Sequence, residues 1–344
     1  LFSKLLKYGI RGNSLDWLKS FLNDRKQIVK WKDVLSQTES VECGVPQGSI
    51  LGPLLFLLYI NDLHVVSDKL FFLMYADDTN VFITGKEVAD LERTMNTEIK
   101  KVVTWLRANE LSLNVAKTHA MVFSNRSIVT NHAFAIQIND ATIEIVHKTK
   151  FLGVMVDNKF SFGEHINYIH GKLSKGLGII KKARSVLNKI TLTNLYYTFL
   201  YPYLSYCNII WGRAAKKHLQ KLFLLQKRAV RIICNASFLA HTEQLFKDCK
   251  LLTIFQINVY LVGIFMYQHQ NNLVPNVMRD MFVNRRAIHA LNTRNTEMLN
   301  LPFCRTELRK NTLCYYGCHV WNNIISPYSI ALRVQHSLCI FKKC

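Results

Sequence analysis

Leu70 to Thr84 reads Leu-Phe-Phe-Leu-Met-Tyr-Ala-Asp-Asp-Thr-Asn-Val-Phe-Ile-Thr, and this stretch decides the fold. Leu70 to Tyr75 is short, apolar and aromatic, while Thr79 to Thr84 is rich in β-branched residues. Two such runs separated by a brief polar step predict a β-hairpin. Asp77 and Asp78 then stand at its tip. Adjacent carboxylates repel each other unless a cation sits between them. A hard divalent ion such as Mg²⁺ suits them, because it takes carboxylate oxygens and keeps coordination positions for substrate phosphates. The dipeptide alone favours an ordinary Asp-Asp turn, so its context has to decide.

Outward from the hairpin, Val41 to Gly48 is turn-rich, with Gly44, Pro46 and Gly48. Ser49 precedes an apolar run from Ile50 to Ile60, which predicts a buried helix with Pro53 in its first turn. Residues 1–31 predict helix, broken at Gly9 and Gly12. Lys86 to Asn109 repeats apolar residues at helical spacing. Leu111 to Phe123, Phe134 to Val146 and Phe151 to Val156 read as strands. Beyond about residue 158 helical patterns take over, at 160–188, 191–209, 214–234 and 252–270. The expectation is an α+β chain whose strands precede its helices.

Charge divides the chain in the same way. Residues 1–158 hold 18 Lys+Arg and 17 Asp+Glu, and residues 159–344 hold 26 and 6. So basic a second half predicts a polyanionic partner, a nucleic acid rather than a membrane. On a helix over 214–234, Lys216, Lys217, Lys221, Lys227, Arg228 and Arg231 fall within an arc of roughly 140° at about 100° per residue. That face is a candidate for phosphate contacts. With 49% hydrophobic residues the chain supports real cores, which excludes disorder. The nine cysteines sit mostly among apolar residues and read as free thiols in a reducing compartment. Cys314, Cys318 and His319 lack zinc-knuckle spacing. No signal peptide is evident, and the two longest apolar runs are too short or too polar to span a bilayer.

The context of the hairpin carries a resemblance. Val45-Pro46-Gln47-Gly48-Ser49-Ile50-Leu51-Gly52-Pro53, continuing to Asn61-Asp62-Leu63, resembles a defining block of reverse transcriptases, in particular those of jockey-like and CR1-like non-LTR retrotransposons. Tyr75-Ala76-Asp77-Asp78 resembles the catalytic box of that family. Leu111 to Thr118 resembles the next block, and Phe151 to Asp157 the one called the primer grip. Tyr201 to Cys207, Leu225 to Arg231 and Trp321-Asn322-Asn323 resemble the region that follows the palm.

The resemblance implies an RNA-directed DNA polymerase, transferring nucleotides to a primer 3′-hydroxyl by two-metal chemistry with Mg²⁺ or alternatively Mn²⁺. It implies catalytic and metal-holding roles for Asp77 and Asp78. Lys117 would stand near the triphosphate. Gln47, Gly48 and Tyr75 would lie at the template and nucleotide, and Leu152 and Gly153 at the primer end. The implied partners are an RNA template, a DNA primer and deoxynucleoside triphosphates, with no membrane. The expected location is intracellular, in cytoplasm and nucleus. The implied fold is a partial right-hand palm of antiparallel sheet and helices over 1–157. A helical, basic thumb follows over 158–250, and then a basic region over 251–344. The family's first catalytic aspartate and its fingers match nothing from Leu1 onward, so the expectation is a C-terminal portion that is inactive by itself. A non-catalytic nucleic-acid-binding remnant and a relative of group II intron maturases are the other readings.

Overall fold

The computed structural model describes residues 1–124, 134–288 and 298–325. The described residues fall into two units. The first draws on Leu1–Met121 and Arg126–Val146, the second on Val122–Asn125 and His147–Cys344. The boundary also divides the charge. Residues 1–146 carry 16 Lys+Arg against 16 Asp+Glu, and residues 147–344 carry 28 against 7.

The first unit opens with helices α1 (Phe2–Lys7) and α2 (Asn13–Leu22). Asp24, at φ 54°, turns the chain into short antiparallel pairs: β1 (Arg25–Gln27) with β4 (Glu39–Val41), and β2 (Lys30–Trp31) with β3 (Val34–Leu35). Helix α3 (Leu51–Ile60) is apolar on all sides. Its Leu55 joins Leu5, Leu15 and Leu18 in one core, and its Ile60 joins Leu63, Leu70 and Val102 in another. The expectation of a buried helix holds for only one side. Ile50 is 94% exposed and Leu54 53%, because the described elements cover a single face of α3. Lys4 Nζ ties α1 to the end of α3, donating to the Tyr59 carbonyl at 2.7 Å and to Asp62 at 2.6 Å.

Strands β5 (Phe71–Tyr75) and β6 (Asp78–Phe82) form the expected hairpin, in register from Phe71↔Phe82 to Tyr75↔Asp78. Phe72, Met74 and Val81 turn inward to the core around Val102 of α4 (Val88–Ala108). The neighbouring Val103 faces another core, built with β8 (Ile136–Ile138) and β9 (Ala141–Ile145). The strand expected over Leu111 to Phe123 is mostly absent. Only β7 (His119–Ala120) forms, parallel to β9. Ahead of it Val115–Lys117 is a tight helical turn. Asn114 accounts for this: its Oδ1 accepts the Lys117 N–H at 3.2 Å and draws that donor away from any strand partner. Among the described residues the sheet content of this unit is therefore three two-stranded pairs and one three-stranded sheet, in the order β7-β9-β8, rather than one continuous antiparallel sheet.

The second unit begins with β10 (Lys148–Phe151) and β11 (Val154–Asp157), a hairpin where a single strand was expected. Leu152 and Gly153 both take positive φ, 42° and 86°, which reverses the chain between them. Helices follow, in chain order: α5 (Gly163–Ala183), α6 (Lys189–Phe199), α7 (Tyr201–Ser205), α8 (Asn208–Trp211), α9 (Lys216–Ile233), α10 (Glu243–Asp248), α11 (Ile254–Gln270), α12 (Asn276–Arg279), α13 (Glu307–Lys310) and α14 (Leu313–Val320). Ile166, Leu173 and Ile180 on α5 and Leu222, Ala229 and Val230 on α9 are fully buried in one large core. Gln226 links three segments inside it. Its amide donates to the Tyr196 hydroxyl at 2.7 Å and accepts the Ile254 N–H at 2.8 Å. Among the described cysteines all are free; Cys249 and Cys318 are buried, whereas Cys43 and Cys314 are exposed. Cys339 and Cys344 lie outside the described residues.

His165 makes the second unit pH-sensitive. It is 2% exposed and packs edge-on against Trp211, with ring centroids 5.4 Å apart. Its Nδ1 accepts the Met155 N–H at 3.3 Å, and its Nε2 has no partner among the described residues. Burial pushes its pKa down to about 4. The unfolded chain therefore binds the proton first as pH falls. Stability is fully present above about pH 6.5 and is lost as pH drops toward 4, by up to about 3 kcal/mol. Burial lowers His218 in the same sense. Urea denaturation between pH 7 and pH 4.5 checks this, and His165→Gln should flatten much of the slope. An unchanged slope in that variant would assign the effect elsewhere.

Candidate active site and nucleic-acid face

The hairpin tip of the first unit is Ala76-Asp77, flanked by the Tyr75↔Asp78 pair. Ala76 has φ 51°, a left-handed conformation that its Cβ disfavours. The strain is affordable in a side chain as small as alanine, and it makes the turn tight. Asp77 and Asp78 project into solvent. Among the described residues neither carboxylate forms a hydrogen bond or ion pair with another side chain, so both offer oxygen lone pairs. Such a donor set fits a hard divalent cation, which takes one or two carboxylates and leaves its other positions to water and phosphate. Among the described residues no third acidic, His or Cys side chain joins them. Tyr75, 65% exposed, stands beside Asp78 on the face that also displays Phe71 and Leu73.

Gln47 and Gly48 occupy the turn before α3, and both are exposed. Gly48 has φ 79° and no atom within 4 Å of where a Cβ would be. Glycine is required there by backbone conformation, and the empty surroundings leave the peptide open to close approach. Ser49 fixes the turn by donating to the Pro46 carbonyl at 2.7 Å and accepting the Gly52 N–H at 3.0 Å. Lys117 ends its helical turn exposed, and no ion pair ties it to Asp77 or Asp78.

Leu152 and Gly153 form the turn of the β10–β11 hairpin in the second unit. Tyr206, from the end of α7, holds that turn. Its hydroxyl donates to the Leu152 carbonyl at 2.6 Å, and a Cβ on Gly153 would lie 3.2 Å from its ring. The sequence singled out Leu152 and Gly153 through the resemblance alone and gave no sign of Tyr206. A contact 54 residues away along the chain leaves no local signal.

The basic residues of α9 separate into two groups. Lys216, Lys217, Lys221 and Arg228 are exposed. Lys221 donates to Asn167 Oδ1 of α5 at 3.2 Å, so the two helices meet along this face. Lys227 and Arg231 are half-buried. Lys227 Nζ stands 4.7 Å from the Phe223 ring. Arg231 donates to the Ala240 carbonyl at 3.0 Å and lies over Phe238, holding the segment after α9. No described helix is long and apolar enough to cross a membrane.

Comparison with known proteins matches residues 1–156 to the family described as reverse transcriptase (RNA-dependent DNA polymerase). A probable RNA-directed DNA polymerase from transposon X-element of Drosophila melanogaster is 26% identical over 291 residues, which is 81% of this chain and 32% of that protein. The RNA-directed DNA polymerase from mobile element jockey of the same species is 28% identical over 68% of this chain and 26% of its own length. A retrovirus-related Pol polyprotein from a type-1 retrotransposable element R1 of Nasonia vitripennis is 28% identical over 50% of this chain. The chain thus spans about a third or less of the first two relatives.

Proposed function

We propose that this chain, whose residues 1–156 match the reverse transcriptase family, supplies the metal-holding tip, the primer-end turn and a phosphate-binding helix of a retrotransposon RNA-directed DNA polymerase. The observation that carries the reading is the Tyr75-Ala76-Asp77-Asp78 hairpin, with one exposed carboxylate on its strained two-residue turn and a second at the strand position that follows. Asp77 and Asp78 would hold divalent metal, Mg²⁺ or Mn²⁺. When bound, the metal neutralises charge that develops as the primer 3′-oxygen displaces pyrophosphate. Gly48 lets the template-side backbone approach, and Gln47 offers an amide beside it. Lys117 contributes a mobile cation for the departing triphosphate. Leu152 and Gly153, held by Tyr206, present a firm turn to the primer terminus. In this reading 1–157 is palm, 158–250 thumb and 251–344 a basic extension. The partners are an RNA template, a DNA primer and deoxynucleoside triphosphates, and the setting is intracellular.

The α9 face tests the binding half of this reading. Phosphate contacts carry no base information, so affinity for RNA or DNA should depend little on sequence. It should fall steeply with salt as counterions are released. Reversing Lys216, Lys217, Lys221 and Arg228 to Glu together should weaken binding by about 10²-fold or more at low salt and flatten the salt slope. Arg231 is left intact because it holds the adjoining loop. Fluorescence anisotropy against salt measures both quantities. A flat salt response in the unaltered chain would sink the electrostatic reading.

A further inference from the structure

We infer that Phe123 and Phe160, with Lys159 beside them, form a platform on which an unpaired base of a single-stranded nucleic acid stacks. The inference rests on the nucleic-acid reading above and adds to it a site that reads the flat face of a base rather than its phosphate.

Three observations in the second unit carry it. The first is the rings themselves. Phe123 and Phe160 stack with centroids 4.7 Å apart and planes 14° from parallel, and each is 43% exposed. Together with Asn158, Lys159 and Leu308 they line a cavity of ≈ 240 Å³. That is below the roughly 300–1,000 Å³ of pockets for drug-sized ligands, and it suits one flat ring system.

The second is how Phe160 is presented. The Asp157 carboxylate accepts four hydrogen bonds: from the Lys159, Ser161 and Phe162 N–H groups at 3.1, 3.0 and 2.8 Å and from the Ser161 hydroxyl at 3.0 Å. This clamp holds Phe160 and Phe162 in the left-handed region, at φ 51° and 56°. Both conformations are unfavourable for a bulky side chain. Phe162 uses its turn to enter the core, where it is 7% exposed. Phe160 gains no such burial. Its ring is held outward on a rigid loop, and strain that is kept without burial is characteristic of binding sites.

The third is charge. Lys159 makes no ion pair with another described residue. The surrounding stretch 147–344 holds 28 Lys+Arg against 7 Asp+Glu. An aromatic face in so basic a setting matches a base on a polyanionic backbone, the combination that single-strand-binding proteins use. A purely apolar protein partner would have no use for the surrounding excess of cations.

The experiment uses the whole 344-residue chain with short single-stranded oligonucleotides, ribo- and deoxyribo- in separate arms, and a duplex of the same sequence. Phe160→Ala should lower single-strand affinity by about 5- to 150-fold, the range for loss of one stacked base. Duplex affinity should hold, because paired bases offer no free face. Phe160→Leu keeps apolar volume on the loop but removes the π face, and it should lose as much. Oligonucleotides carrying 5-iodouracil should photo-cross-link to the peptide containing Phe160. Loss in either arm supports the platform and identifies the strand type it holds. Unchanged single-strand affinity in both variants, beside steep salt-dependent binding by the unaltered chain, overturns the platform and leaves the nucleic-acid reading standing. Absence of salt-dependent binding by the unaltered chain overturns that reading instead.

Discussion

Asp77→Asn or Asp78→Asn, in any polypeptide that carries these 344 residues and extends a primer, lowers extension by about 10³–10⁵-fold. That is the scale on which groups neutralising transition-state charge act in phosphoryl transfer. Template binding stays nearly unchanged, because these carboxylates are exposed at a hairpin tip and form no hydrogen bond or ion pair with another described side chain. Asparagine preserves the shape and the turn, so the β5–β6 register and the core beneath it survive. What disappears is the negative charge that would hold the metal in the proposed role. Lys117→Ala is milder, about 10²-fold, since water can take over a proton or a neutralising contact at that order of cost. Single-turnover extension and equilibrium binding, measured on the same preparations, separate the two effects. Equal losses of extension and binding at all three positions would mean unfolding and would refute the assigned roles.

Gly212→Ala destabilises the second unit by about 3–5 kcal/mol, a large part of the roughly 5–15 kcal/mol that holds a domain together. A Cβ at Gly212 would lie 2.3 Å from Asn208 Oδ1, 2.4 Å from Asn258 Nδ2 and 2.5 Å from the Asn208 carbonyl oxygen. These atoms cannot yield separately. Asn258 Nδ2 donates to both Asn208 oxygens, at 2.9 and 3.1 Å, and Asn208 Nδ2 donates to the Leu204 carbonyl at 2.8 Å. Both asparagines are buried beside the fully buried Trp211. Making room for one methyl group therefore breaks buried hydrogen bonds that no water can replace. The same substitution at Gly171 or Gly178 of α5 should act with the opposite sign. Nothing lies within 4 Å of either added methyl, and alanine in a helix interior is favoured over glycine by about 0.5–1 kcal/mol. Guanidinium unfolding of the three variants tests the contrast. Gly212→Ala with unchanged stability would show that the asparagine pair is not the constraint described.

Local pattern alone was enough for several features. The β5–β6 hairpin, α4, α5, α9 and α11 were legible because each combines a period with its own punctuation. Asp77 and Asp78 were singled out by the resemblance of the blocks around them, since the dipeptide alone reads as an ordinary turn. The basic face of α9 followed from 100° geometry applied to its lysines and arginines.

Tertiary structure decided the rest. The strand expected at Leu111–Phe123 yielded to the Asn114 side chain, whose hydrogen bond competes with strand pairing. Phe151–Val156 became a hairpin because Leu152 joined Gly153 at positive φ, a choice stabilised by Tyr206 from far along the chain. The apolar run at Ile50–Ile60 gave a helix but did not say how much of it would be covered. Within α9, Lys217 and Arg231 look alike in sequence, yet the first is free in solvent and the second holds a loop. The Phe123–Phe160 platform was invisible for the same reason. Periodicity records which face of an element is buried, because burial repeats with the geometry of that element. It records nothing of which distant side chain arrives to meet a given face, since that is set only when the whole chain packs.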